Sequence, residues 1–111
     1  MPIIRKPDQM QTNRYGDGCT ETILADRHVL GEKVMVTRRW SLDPHTRGPE
    51  IMNGDYEEML YVISGSGIAQ VGGERYELQP ECMLWIERGD TYHLSSGPDG
   101  LEVLHYCAPD N

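Results

Sequence analysis

A chain of 111 residues has the length for one domain with a sizeable core, and not for two. Its apolar fraction of 38% beside 25% charged residues suits a globular protein rather than a disordered one. The net charge of −8 excludes the basic stripe that nucleic acid or an anionic membrane surface demands, and no apolar run nears the roughly 20 residues of a membrane span.

Residues 1–7 carry charge but no following apolar stretch, so no signal peptide is expected. Cys19, Cys82 and Cys107 are an odd number with no CxxC spacing, which predicts reduced thiols and a cytoplasmic location. Cys82 and Cys107 read as buried small hydrophobes. Residues 1–20 are rich in turn formers (Pro7, Asn13, Gly16, Gly18) and predict an N-terminal arm or edge segment, with 21–111 forming the folded unit.

Over 33–42 the chain alternates Val34, Val36, Arg38, Trp40 and Leu42 against Met35, Thr37 and Arg39, which is a strand period broken by Asp43-Pro44. A second strand is predicted over 57–63, ending at Ser64-Gly65-Ser66-Gly67. Residues 67–71 and 74–78 flank Gly72-Gly73 and predict a hairpin. Strands follow over 82–86, after Pro80, and over 91–95, after the Gly89-Asp90 turn. Gly97-Pro98-Asp99-Gly100 reads as another turn before a last strand at 101–107. Short strands at intervals of about ten residues, with no trustworthy helical window, predict an all-β sandwich or barrel of jelly-roll type.

Two stretches resemble the signature motifs of the cupin superfamily. Glu58 through Gly65 reproduces the E-x6-G half of the first motif, and Gly67-Ile-Ala-Gln-Val71 continues as small cupins do. Leu78-Gln-Pro80, an apolar strand and Glu87-Arg88-Gly89 resemble the frame of the second. The resemblance implies a double-stranded β-helix barrel over about residues 34–107, a small-molecule ligand and a homodimer, here through Met35, Met59 and Tyr61. It carries over Glu58 as a metal ligand. The paired histidines of the first motif fall instead at Asn53 and Ile51, or at Gly54 and Met52, and the second-motif histidine falls at Tyr92, one residue before His93. The frame is also partly similar to ectoine synthase, with Glu58 ahead of Tyr61-Val-Ile-Ser-Gly65-Ser-Gly67 and His93 after a strand and turn.

Parity decides which side chains meet inside a barrel. Glu58 shares a face with Leu60 and Val62, and a carboxylate in an apolar interior must be paired, protonated or bound to a cation. Tyr92 shares a face with Leu94, and His93 with Thr91 and Ser95. An inward apolar face brings Tyr92 to the pocket, whereas a bulge at Gly89-Asp90 turns His93 inward, and both remain open. His105 alternates with Leu101 and Val103 and should point inward. Arg38, Trp40 and Trp85 are candidate ligand-binding residues. His45 reads as a loop histidine, and Glu50, Asn53 and Asp55 as turn residues that could also offer oxygen donors.

The expected site therefore has Glu58, His93 and Tyr92 as catalytic residues, with Arg38, Trp40, His105 and Trp85 binding a ligand. A single divalent metal ion (Fe, Zn, Ni or Mn) would sit on Glu58 with His93 and His105. The expected function is a metal-assisted or acid/base lyase, isomerase or cyclase acting on a small polar molecule. The alternatives are a ligand-binding or sensor cupin without a metal, and a domain working only through its dimer surface.

Overall fold

The computed structural model describes residues 4–26, 36–53 and 57–108. His28, Met35, Gly54, Asp55 and the start of the strand expected over 33–42 lie outside them. Among the described residues, a 3-10 turn at Pro7–Gln9 is followed by eight antiparallel strands: β1 (Gln11–Tyr15), β2 (Cys19–Ala25), β3 (Val36–Leu42), β4 (Ile51–Met52), β5 (Glu57–Val71), β6 (Glu74–Leu78), β7 (Met83–Ile86) and β8 (Thr91–Ala108). They pair in the order β1-β2-β3-β8-β5-β6, with β4 joining β8 and β7 joining β5.

Two strands run farther than their glycines suggest. The Ser64–Gly67 stretch does not end β5, and the Gly97–Gly100 stretch lies within β8 rather than interrupting it. Along both strands the pairing jumps: Gly65 faces Leu101, whereas Gly67 faces Ser96. The glycines here bend a continuous strand instead of stopping it. Gly65 has φ +85°, and a Cβ on it would strike the Gly100 carbonyl; a Cβ on Gly67 would strike the Ser95 carbonyl.

The bend divides the sheet into two facing layers. One contains β1, β2, β3, residues 101–108 of β8, residues 57–62 of β5, and β7. The other contains β4, residues 91–96 of β8, residues 67–71 of β5, and β6. The hairpin between β5 and β6 forms as expected, with Val71 facing Glu74, although only Gly72 of the glycine pair has a positive φ. This is the jelly-roll arrangement, all-β as the sequence predicts.

Leu60, Val62, Ile86, Leu94, Leu101 and Val103 fill the space between the layers and are almost wholly buried. Burying each such side chain contributes roughly 1.5–3 kcal/mol. The outer face of the first layer is apolar as well. Trp85, Met59 and Tyr106 stand side by side across three strands, and Met83, Tyr61 and Leu104 form the next row. Trp85 is half exposed, so it does not wall the interior; its place in β7 alternates outward from the buried Ile86.

If the Gly65 bend holds the layers together, Gly65→Ala should cost at least about 3 kcal/mol in urea unfolding, from its left-handed φ and the clash with Gly100. Gly72→Ala, where a Cβ meets open space, should cost about 1 kcal/mol. Equal costs at the two sites would count against this account of the bend.

Candidate active site

Register within the first layer sets out the site. Glu58 faces Ile86 on one side and Cys107 on the other. In the next row Leu60 faces His105, which faces Arg38, and in the row after that Val62, Val103, Trp40 and Glu21 lie in line. Tyr92 comes from the opposite layer, where it pairs with Val71 and Ile51, and its phenol crosses the interior to this group.

Three buried polar side chains meet there. The Tyr92 hydroxyl donates to Glu58 Oε1 at 2.9 Å and lies 3.3 Å from His105 Nε2. His105 Nε2 itself contacts Glu58 Oε1. Exposure is 4% for Glu58, 2% for His105 and 0% for Tyr92, so these contacts take the place of water around the carboxylate.

The indole of Trp40 fixes where the imidazole proton sits. Trp40 Nε1 is 3.1 Å from His105 Nδ1, and an indole N–H can only donate. Nδ1 must then present its lone pair, which leaves the ring neutral with its proton on Nε2. That proton points at Glu58, so Tyr92 and His105 both donate to one carboxylate oxygen. Burial pushes the Glu58 pKa up. The hydrogen bonds from His105 and the Tyr92 hydroxyl, together with the Arg38 charge, outweigh it and hold the carboxyl below its ordinary value. Burial and the adjacent Glu58 raise the Tyr92 phenol far above its usual range, which keeps it a proton donor.

A second ring of polar groups surrounds Arg38. Arg38 Nε pairs with Glu21 Oε2 at 3.1 Å, and Arg38 Nη1 lies 3.3 Å from Cys107 Sγ. Glu21 Oε1 accepts from Asn13 Nδ2 and from the Tyr15 hydroxyl, each at 3.1 Å. The Tyr15 ring also packs on Trp40 at a centroid distance of 5.5 Å. Arg38 has a side-chain exposure of 29% and marks the approach to the buried cluster. A separate groove of about 420 Å³ between β5, β6 and β8, lined by Ser66, Glu77, Gln79 and Ser95 among others, touches none of Glu58, Tyr92 or His105.

Among the sequence candidates, Glu58, Tyr92, His105, Arg38 and Trp40 are brought together, and His93 and Trp85 are not. β8 keeps its alternation through Tyr92 and Leu94, both buried, so His93 lies on the opposite face, across from Gln70. No bulge at Gly89-Asp90 turns it inward. Burial and the nearby Arg47 and Arg75 lower the His93 pKa against the opposing pull of Glu50. His45 stands in the loop after β3 with φ +54°, Glu50 is exposed, and buried Asn53 donates from Nδ2 to the Glu87 carbonyl.

Sequence reasoning misses Cys107, which reads there as a small hydrophobe, and also Glu21, Asn13 and Tyr15. The parity of 101–107 puts Cys107 on the His105 face and is the signal that could find the first. Nothing local marks the other three, which reach the site only through pairing across β1, β2 and β3.

Glu58, His105 and Cys107 each offer a donor atom within 4.8 Å of the others, so by distance the cluster could hold a metal ion. Its hydrogen bonds do not suit one. A histidine that binds a metal usually donates its remote N–H to an acceptor, whereas here the remote nitrogen receives an N–H from Trp40. Burial and the Glu58 charge, opposed by Arg38, also push the Cys107 thiol up to about 11. The donor set therefore favours proton handling over ligation.

Comparison with curated proteins finds no match. Solved structures resemble the chain in fold at low identity. A predicted oxalate decarboxylase from Thermotoga maritima superposes with TM-score 0.81 at 14% identity, covering 96% of this chain and 98% of that one. The polyketide cyclase RemF from Streptomyces resistomycificus gives 0.77 at 19% identity, with 99% and 81% covered. KdgF from Halomonas sp. gives 0.75 at 13% identity, with 100% and 97% covered. At these identities the likeness shows the fold alone. The family model for the cupin domain matches residues 38–105, from the arginine at the mouth of the cluster to the histidine at its centre, and the chain belongs to that family.

Proposed function

We propose that this chain is an acid/base catalyst that moves a proton on a small polar molecule, in an elimination, isomerisation or cyclisation. The observation that carries this reading is the convergence of the Tyr92 O–H and the His105 Nε2–H on one buried oxygen of Glu58, with Arg38 at the exposed end. Two hydrogen-bond donors and the Arg38 charge keep Glu58 ionised, and burial shields it from water. A substrate carrying an acidic C–H beside a carbonyl would enter past Arg38. The C–H bond breaks, its proton passes to the Glu58 carboxylate, and its electron pair moves onto the carbonyl oxygen, where Arg38 balances the new charge. Return of the proton to a neighbouring carbon gives isomerisation, loss of a β-substituent gives elimination, and attack on an internal electrophile gives ring closure.

The polyketide cyclase among the similar folds supports the class of chemistry by analogy only. This reading uses Tyr92 and His105 in place of His93, and none of Fe, Zn, Ni or Mn. The three free cysteines support a reducing compartment such as the cytoplasm. Among the described residues, no helix is long and apolar enough to cross a membrane. The alternative is a ligand-binding or sensor cupin using the same side chains.

A panel of small oxo acids and hydroxy acids in D₂O, followed by proton NMR, separates the two readings. The wild-type chain should exchange or convert a member of the panel, and Glu58→Gln should slow that by about 10²–10⁴-fold. Ligand binding that survives Glu58→Gln, with no exchange by either protein, would favour the sensor.

The Glu58 environment also predicts a pH dependence of stability. Because the folded-state pKa lies below the ordinary value of 4.5, the ionised carboxylate adds stability that is fully present above that value. The contribution is lost as pH falls through the folded pKa. The stability gap between wild type and Glu58→Gln, measured by urea unfolding, should therefore be constant from neutral pH to about 5.5 and narrow at lower pH. A gap that widens on acidification would contradict it.

We further propose that a second copy of this chain covers the outer face of the first layer, where Met59, Tyr61, Met83, Trp85, Leu104 and Tyr106 form two adjacent apolar rows. Sedimentation should give a dimer for the wild type and a monomer for Trp85→Glu. A monomeric wild type at micromolar concentration would exclude it.

A further inference from the structure

The cluster holds three side chains that could ligate an ion, and one neighbour, Trp40, hydrogen-bonded to the histidine among them. We propose that Trp40 is a positioning residue: by donating its indole N–H to His105 Nδ1 it selects the Nε2–H form of the imidazole and keeps the Glu58–His105–Cys107 cluster a proton-handling site rather than a metal centre. The inference rests on the same cluster as the catalytic reading, and adds to it the element that decides between the two chemistries.

The physical basis is the proton inventory. A neutral imidazole has one N–H and one lone pair, and an indole nitrogen has no lone pair to offer in the ring plane. With Trp40 Nε1 3.1 Å away, an N–H on His105 Nδ1 would face another N–H in a buried site and lose its hydrogen bond. A metal on His105 Nε2 needs the lone pair at that atom, hence the proton on Nδ1, which Trp40 disfavours. On the other side, Nε2–H has its acceptor already in place at Glu58 Oε1.

Trp40 has little freedom to turn away. It is 3% exposed, sits between Glu21 and Val103 in the cross-strand register, and carries the Tyr15 ring against its own. The Arg38 guanidinium, 3.3 Å from Cys107 Sγ, places a fixed positive charge beside the third donor and further disfavours a cation.

The test uses the full chain freed of metal with a chelator. Replacing His28, His45 and His93 by Gln leaves His105 as the one histidine of the four. Nitrogen-15 NMR of that protein should give a pyrrole-type Nε2 and a pyridine-type Nδ1. A pyrrole-type Nδ1, or protons on both nitrogens, overturns the proposal without any change at Trp40. Titration with Co²⁺ alone should show weak binding by the wild type and a gain on the order of 10- to 100-fold in Trp40→Phe, with a thiolate charge-transfer band from Cys107. Equal Co²⁺ affinities in the two folded proteins also overturn it. A merely structural role for Trp40 would lower stability and leave the nitrogen shifts and the metal preference unmoved. Should the D₂O exchange fail while the nitrogen pattern holds, the catalytic reading falls and the positioning role of Trp40 stands. Exchange that persists beside a pyrrole-type Nδ1 leaves the catalytic reading standing and removes the positioning role.

Discussion

One buried carboxylate sets the terms for the centre of this molecule. An ionised Glu58 at 4% exposure would cost several kcal/mol if left alone between apolar layers. Tyr92 and His105 compensate it with direct hydrogen bonds, and Arg38 with its charge. Each compensating group then needs a partner. Arg38 is held by Glu21, Glu21 by Asn13 and Tyr15, and His105 by Trp40. The requirement spreads outward until it reaches β1, so that an edge strand at the far end of the sheet order contributes to holding a charge in the interior.

The same chain of dependence separates what is legible in the sequence from what is not. The strand rhythm, the Gly72-Gly73 hairpin and the Glu58–Gly65 motif depend on neighbours within a few residues, and all are visible in one dimension. The inward orientation of His105 follows from its alternation with Leu101 and Val103. The choice between Tyr92 and His93 turns on whether one extra residue is accommodated before Thr91, which local sequence does not decide. The structure keeps the simple alternation there. The strand ends escape the sequence for a related reason: a glycine stretch marks a change of direction, and whether the ladder continues beyond it depends on the facing strand.

The remaining parts of the site depend on contacts distant along the chain. Trp40 and His105 are 65 positions apart, and Arg38 and Cys107 are 69 apart. Only the register of β3 against β8 brings them within a hydrogen bond. Trp40 reads from the sequence as a ligand contact rather than as the partner of His105, and a cysteine near the chain end reads as filler. Their chemical weight comes from what stands beside them. Family membership fixes the barrel, while the set of groups inside it belongs to this chain.

β8 carries Tyr92 on one arm and His105 on the other, with the turn of its backbone at Gly97–Gly100 between them. The strand thus works as a caliper whose jaws close on Glu58. Between the jaws Gly100, at φ +76°, passes the Leu42 carbonyl so closely that an added Cβ would come within 2.9 Å of it. The spacing of the buried polar cluster could therefore be retuned at a point remote from its side chains, leaving those groups themselves unchanged.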